Sequence, residues 1–151
     1  MSWFKVSVES ERMQENGMYK KVTEVYLLDA VSYTEAEART LKEITIDISG
    51  EFKIADIKRI KLAEIFQYSE AEPDGFFLAT VKYVTLDERS GMEKEKPVKM
   101  LVIAPDFDTA LKTLHTGMRN TMVAYKVANL TEFLIEGIYP FSDDQITEVK
   151  F

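Results

Sequence analysis

The sequence predicts an α+β fold made of two tandem copies of one ββαβ unit, with mostly antiparallel sheet, two helices and a pseudo-twofold relation between the copies. FKIADI at residues 52–57 returns as YKVANL at 125–130, and each half shows strand-like alternation followed by a helix-forming stretch. Further blocks match in the same order at an offset of 73 or 74, which indicates a duplication. These blocks pair residues 3–8 with 76–81, 17–18 with 91–92, 27–30 with 101–104, 32–33 with 106–107, and 65–66 with 138–139.

The first copy, residues 1–68, begins with a hairpin. Residues 3–12 alternate apolar and polar side chains, which is typical of a strand with one wet face. Asn16-Gly17 predicts a tight turn, because both residues tolerate positive φ. A second strand is then expected over 19–31.

A helix and a third strand complete this copy. Ser32, with Glu35 three residues later, predicts a capped start for the helix TEAEARTLKEI. After Ser49-Gly50, a long third strand is expected over 52–67. A right-handed crossover would place it beside the first strand.

The second copy, residues 76–141, repeats these signals. Pro105 ends its second strand, and Asp106 is a good N-cap for the helix that follows. The predicted strands cover 76–86, 96–104 and 123–139, the turn covers 87–91, and the helix lies around 108–118. We expect one domain over 1–141, with a linker at 69–75 and an acidic C-terminal tail at 142–151. The two copies would either extend into one six-stranded sheet or pack face to face.

The composition favours an ordinary globular protein of the cytoplasm. Hydrophobic residues make up 46% and charged residues 30% of the 151 positions, and there is no cysteine. The net charge of −7 argues against simple electrostatic coating of duplex DNA or of an anionic membrane. The alternating N-terminus has no apolar signal-peptide core, and no apolar run is long enough to span a membrane.

The residues offer little for catalysis, so we expect no enzyme activity and no cofactor. His115 is the only histidine, and its match in the first copy is Leu41, so we interpret it as a boundary residue of the second helix. The acidic pairs Asp106/Asp108 and Asp143/Asp144 lack the spacing of a calcium-binding loop. We expect no metal site there.

A set of cations and aromatic residues predicts a surface for single-stranded nucleic acid. Binders of this class combine a basic groove with aromatic side chains on which bases stack. The candidate residues are Trp3, Lys5, Phe52, Lys53, Lys58, Arg59 and Lys61. The alternative is a solvated strand whose lysines discourage pairing between sheet edges. The second copy favours that alternative, since Thr131 and Glu132 stand in the matching region.

The tail FSDDQITEVKF predicts a partner-binding segment through Asp143, Asp144 and Phe151. It resembles the acidic, phenylalanine-ended tails of bacterial and phage single-stranded-DNA-binding proteins, although Lys150 departs from that pattern. A final strand over 145–149 is an equally good interpretation of the segment.

Nearly the whole chain resembles a family of uncharacterised small proteins from Bacteroidetes and their phages. The most specific part is the stretch VTEVYLLDAVSYTEAEAR at 22–39. This resemblance implies a phage or mobile-element origin and no particular activity. The leading hypothesis, which rests on the cations and aromatic residues above, is a non-enzymatic protein that binds single-stranded nucleic acid in phage or mobile-element DNA metabolism. The alternatives are a protein-interaction or assembly module, as a homodimer or a partner adaptor, and a binder of small ligands between the two repeats.

Overall fold

The computed structural model describes residues 2–48, 50–70 and 75–151, which form two compact units. Unit 1 comprises Met1–Ile60 and Leu134–Ser142, and unit 2 comprises Lys61–Phe133 and Asp143–Phe151. The predicted linker 69–75 lies partly outside the described residues, since 71–74 are not among them. The chain changes unit after residues 60, 133 and 142, so each unit combines segments that are distant in sequence.

The elements confirm an α+β class with two helices and two mixed sheets. In the first half they are β1 (Ser2–Met13), β2 (Tyr19–Ala30), α1 (Tyr33–Arg39), β3 (Phe52–Ile60) and β4 (Glu64–Tyr68). In the second half they are β5 (Phe76–Leu86), β6 (Glu93–Ile103), α2 (Phe107–Gly117), β7 (Ala124–Glu132) and β8 (Gly137–Tyr139). A last strand, β9, spans Thr147–Val149.

The sheet of unit 1 has the strand order β3-β1-β2-β8. β1 pairs antiparallel with β2 and with β3, so the expected position of the third strand beside the first is confirmed. β8 runs parallel to β2, with Tyr26 opposite Gly137 and Leu28 opposite Tyr139. Arg39 of α1 donates to the Asp29 and Tyr139 carbonyls, which ties the helix to the ends of β2 and β8.

The sheet of unit 2 has the order β7-β5-β6-β4-β9. β5 pairs antiparallel with β6 and with β7, while β4 runs parallel to both β6 and β9. Phe66 of β4 and Val149 of β9 are buried in the core of this unit with Leu114 and Met118. The segment after 142 is therefore not only a solvated tail, because it contributes a strand and a core residue.

The prediction of one long third strand in each copy is wrong. The segment 52–67 divides into β3 and β4, and the segment 123–139 divides into β7 and β8. In both cases the second piece joins the sheet of the other unit, so the fourth strands are exchanged between the halves of the chain. The two sheets, of four and five strands, also replace the single six-stranded sheet that was one of the two expected arrangements.

The two units share a shift in strand register that the alternation of apolar and polar residues does not predict. The pairing of β1 with β3 shifts register between Ser7 and Val8, and the pairing of β5 with β7 shifts between Thr80 and Val81. These positions are 73 residues apart, which is the offset of the sequence repeat. Because bulges are retained within families, this coincidence supports the duplication, whose common ancestry stays a prediction.

Both helices begin as their sequences predict. The Ser32 side chain accepts from the Glu35 backbone N–H at 3.2 Å, and Asp106 accepts from Thr109 at 2.8 Å. Each satisfies an N–H group that has no partner inside its helix. Beyond Arg39, the first helix continues as a π-helical turn over Thr40–Ile44, so the predicted helical stretch is longer than α1 itself.

Candidate interaction surfaces

The predicted nucleic-acid residues do not form one surface. Trp3 is only 8% exposed, so its ring is not available for stacking on a base. Arg59 lies opposite Phe4 of the core, and its guanidinium is 5.3 Å from the ring centroids of Phe4 and Tyr33. Phe52 is opposite the buried Ser10 and therefore shares the helix-facing side with Arg59.

Lysines 5, 53 and 58 lie on the other face of the unit 1 sheet. Lys5 is directly opposite Lys58 on neighbouring strands, and two like charges in this position repel each other. Lys53 forms an ion pair with Glu9 at 3.4 Å. Lys61 is exposed just after β3 and belongs to unit 2. The structure thus brings three of the seven candidates together, one of them already paired with a carboxylate.

Lys53 of FKIADI and Lys126 of YKVANL each form an ion pair with a glutamate of the neighbouring hairpin. Lys126 matches Lys53 at the offset of 73, and its ammonium group is 2.8 Å from Glu95, which also pairs with Lys82 at 3.6 Å. This contact with Lys126 lowers the pKa of Glu95. Both lysines therefore lie on edge strands and neutralise carboxylates of the neighbouring hairpin, which favours a structural interpretation.

The predicted tail residues are held in an ordered segment. Asp143 and Asp144 begin a 3₁₀ turn and are exposed. Phe151 is half exposed, stacks on Tyr68 with 4.9 Å between ring centroids, and lies 5.7 Å from the Lys112 ammonium group. A half-exposed aromatic side chain is a suitable contact for a partner.

The sequence interpretation missed the apolar tip of the first hairpin. Met13, Met18 and Tyr19 are each about two-thirds exposed, and Met13 is directly opposite Tyr19. β3 pairs with β1 only as far as Ser10, so the end of the hairpin extends past the third strand. Gly17, at φ 82°, makes the reversal that presents these side chains.

The second hairpin has the same feature. Leu86 and Met92 are 70% and 68% exposed, and they match Met13 and Met18 at offsets of 73 and 74. Gly91 adopts φ 70° in this turn. Exposed apolar side chains scattered singly are ordinary, but their recurrence at matched tips calls for an explanation. The signal available in the sequence was an apolar residue on each side of both turns.

A groove runs over the exposed side of α2, and we call it the basic groove. It is lined by Leu111, Lys112, His115, Thr116 and Arg119, with Asp108 at its start and Phe151 beside it. Within the described part of the chain, neither Lys112 nor Arg119 forms an ion pair. The His115 Nδ1 atom and the Tyr125 hydroxyl are 3.0 Å apart, so this histidine is a surface residue held by a neighbouring strand.

Unit 1 has a groove of opposite charge between α1 and the edge strand β3, which we call the acidic groove. It is lined by Glu37 of α1, by Leu41 of the π-helical turn that follows, and by Phe52 and residues 54–57 of β3. Leu41 and Phe52 match His115 and Tyr125 of the second copy, so an apolar pair replaces a polar one. Lys and Arg are absent from the described lining.

The described residues provide neither a metal cluster nor a spanning helix. They contain no group of three His, Cys, Asp or Glu side chains arranged to hold a metal ion. Helices of the described ranges are too short or too polar to cross a membrane. Burial, with help from Glu24, raises the pKa of Tyr26 to about 12, which favours the neutral phenol.

The fold and these surfaces define an α+β protein that presents exposed apolar hairpins and charged grooves. Its sequence matches the model of a family described as a domain of unknown function, DUF4494, over residues 2–141. The chain belongs to this family, which confirms the expected membership of an uncharacterised family. No curated protein and no solved structure matches the chain.

Proposed function

We propose that this chain is a non-enzymatic protein-interaction module that contacts its partner through the tips of its two β-hairpins. The observation that supports this most directly is the recurrence of exposed Met13 and Met18 as Leu86 and Met92. Methionine adapts its flexible side chain to apolar pockets and is enriched at the centres of protein interfaces. The partner would be a protein whose surface has apolar pockets deep enough for such side chains.

The position of the tips argues that they serve binding and not folding. Side chains that are two-thirds exposed remove little apolar area from water on folding, so replacing them changes stability by about 0.5 kcal/mol or less. The same side chains can contribute much more when an interface buries them. The exposure of these side chains at both tips therefore supports a role in binding.

A photo-crosslinker placed at Met18 or at Met92 tests this proposal in extracts of the source cells. The matched control carries the same crosslinker at Met122, which is 98% exposed but lies outside the hairpins. We expect one discrete adduct from both tip positions and none from position 122. The adduct must also disappear when Met13 and Leu86 are changed to Ser. Adducts that are equal at all positions, or that survive those substitutions, would refute the proposal.

Single-stranded nucleic acid is the second candidate, and one observation favours it. Lys5 and Lys58 face each other although like charges destabilise such a pair, which an anionic ligand between them would relieve. Binding of labelled oligo-dT, followed by fluorescence anisotropy over a salt series, tests this reduced site. We expect micromolar affinity that weakens with salt and is lost in the Lys5→Glu/Lys58→Glu variant. Absence of binding at low salt would eliminate this candidate.

Two wider expectations belong to the same proposal. The stretch at 22–39 supports an origin in Bacteroidetes or their phages, and the absence of cysteine supports a reducing, cytoplasmic location. A partner from the same compartment, recovered through the crosslinked tips, would support both.

A further inference from the structure

We infer that two copies of this chain associate by placing the basic groove of one copy against the acidic groove of the other. This inference goes beyond the hairpin proposal, because it uses other residues and a different partner. It rests on three properties of the grooves: their opposite charge, the absence of internal ion pairs, and a half-exposed aromatic side chain at one groove that could enter the other.

The charges of the two grooves are complementary. Lys112 of α2 and Arg119 of the 3₁₀ turn Met118–Asn120 line the basic groove, whereas Glu37 and Asp56 line the groove of unit 1. None of these four side chains forms an ion pair within the described residues. The net charge of −7 makes copies repel each other on average, so a local match of this kind would determine how they approach.

The apolar parts of the grooves also fit each other. One face of the Phe151 ring is stacked on Tyr68, and the residue remains 51% exposed. The acidic groove is an open depression of about 500 Å³, and its apolar lining includes Leu41 and Phe52, which are 46% and 37% exposed. An exposed phenylalanine entering such a groove would act as the buried aromatic anchor that interfaces commonly use.

A charge-swap experiment on the full-length chain tests this pairing. In the first variant the acidic groove becomes basic (Glu37→Lys/Asp56→Lys), and in the second the basic groove becomes acidic (Lys112→Glu/Arg119→Glu). Each variant alone would bring two grooves of the same sign together, whereas an equimolar mixture restores opposite signs at every contact. The readout is molar mass by light scattering over a concentration series at low salt.

We expect the wild-type mass to rise above that of one chain with concentration, and added salt to reverse this rise. Each variant alone should require about tenfold or more higher concentration for the same mass, and the mixture should recover the wild-type curve. Phe151→Ala should weaken association by a similar factor. Lys96→Glu/Lys99→Glu is the matched control for the second variant, because it makes the same change in net charge at exposed positions of β6, and it should leave the curve unchanged.

Three results would overturn the inference. The first is a wild-type mass of one chain at every concentration. The second is a variant that associates as well as wild type, or a mixture that fails to recover. The third is loss of association in Met18→Ser/Met92→Ser with the grooves intact, which would assign self-association to the hairpins. That last result would leave the hairpin proposal standing, so the two failures are distinguishable.

Discussion

Phe66→Ala tests the exchange of fourth strands, on which the description of both units depends. Phe66 is 4% exposed in β4, although the sequence repeat assigns this segment to the first copy. Its ring is packed so closely against α2 that a Cβ atom added at Gly117 would lie 2.6 Å from it. Truncation of a buried phenylalanine of this kind costs about 3–5 kcal/mol.

Thermal unfolding measures this cost directly. For a chain of this length, about 3–5 kcal/mol corresponds to a fall in Tm of roughly 6–20 °C. Phe141→Ala is the matched control, because Phe141 is 48% exposed and the Arg39 guanidinium lies over its ring, 4.3 Å from the centroid. Loss of that contact should cost about 1 kcal/mol or less.

Hydrogen exchange then locates the damage. Because β4 pairs with β6 and β9, Phe66→Ala should first expose the amides of β6, α2 and β9, while β1 and β2 stay protected. Earlier loss of protection in β1 and β2 would mean that β4 packs in the sheet of unit 1. That result, or a change below about 1 kcal/mol, would refute the strand exchange.

Substitutions at three further positions test local features of the fold. Gly75→Ala should lower the free energy of unfolding by more than about 2 kcal/mol in chemical denaturation, because the new Cβ atom would lie 2.0 Å from the Ala104 carbonyl oxygen. An unchanged free energy of unfolding would show that Gly75 and Ala104 are not this close in solution. Asp106→Ala should cost about 1 kcal/mol, because it removes the cap on Thr109, and Asp106→Asn should restore most of the loss. Burial raises the pKa of Tyr26 to about 12, whereas an unfolded tyrosine ionises near pH 10, so stability should fall as the pH rises between these values. In Tyr26→Phe, the loss of stability over this pH range should be smaller by about 1 kcal/mol. The difference is this small because solvent screens the partly exposed phenol. An unchanged alkaline unfolding transition would contradict the raised pKa of Tyr26.

The sequence predicted the class, the hairpins, the two helix caps and the position of β3 because each depends on local signals. Alternation, a turn containing Asn16-Gly17 and a capping residue all act within a few positions of the chain. The repeat also identified β3 and β7 as equivalent strands, and the structure places both at the edges of their sheets. FKIADI and YKVANL are therefore the two edge strands next to the hairpins.

The exchange of fourth strands had no comparable signal. Alternation reports which side of a strand is buried, but it does not report which partner strand lies beside it. The segment 52–67 reads as continuous because both of its pieces are strands, and the break at 61–63 contains neither Gly nor Pro. Choosing between the two sheets depends on contacts with residues far along the chain.

The candidate site was predicted less well, for a physical reason that two residues illustrate. Trp3 was grouped with the cations as a residue on which a base would stack, but both Trp3 and Phe4 are buried, so the start of β1 is covered on both sides. Arg59 was grouped with the neighbouring lysines, although register places it with Phe4. The hairpin tips were overlooked because apolar residues beside a turn are also typical of an ordinary strand end.

The most direct test of the interaction module is the affinity for the partner that crosslinks to the tips. Wild type, the tip variant Met18→Ser/Met92→Ser and the control Met122→Ser/Leu134→Ser would be titrated against this partner after purification. The control also removes two strongly exposed apolar side chains, but outside the hairpins. We predict a loss of about tenfold or more for the tip variant, equivalent to about 1.4 kcal/mol, and no change for the control. Equal affinities for all three chains, or a loss confined to the control, would contradict a function based on the hairpin tips.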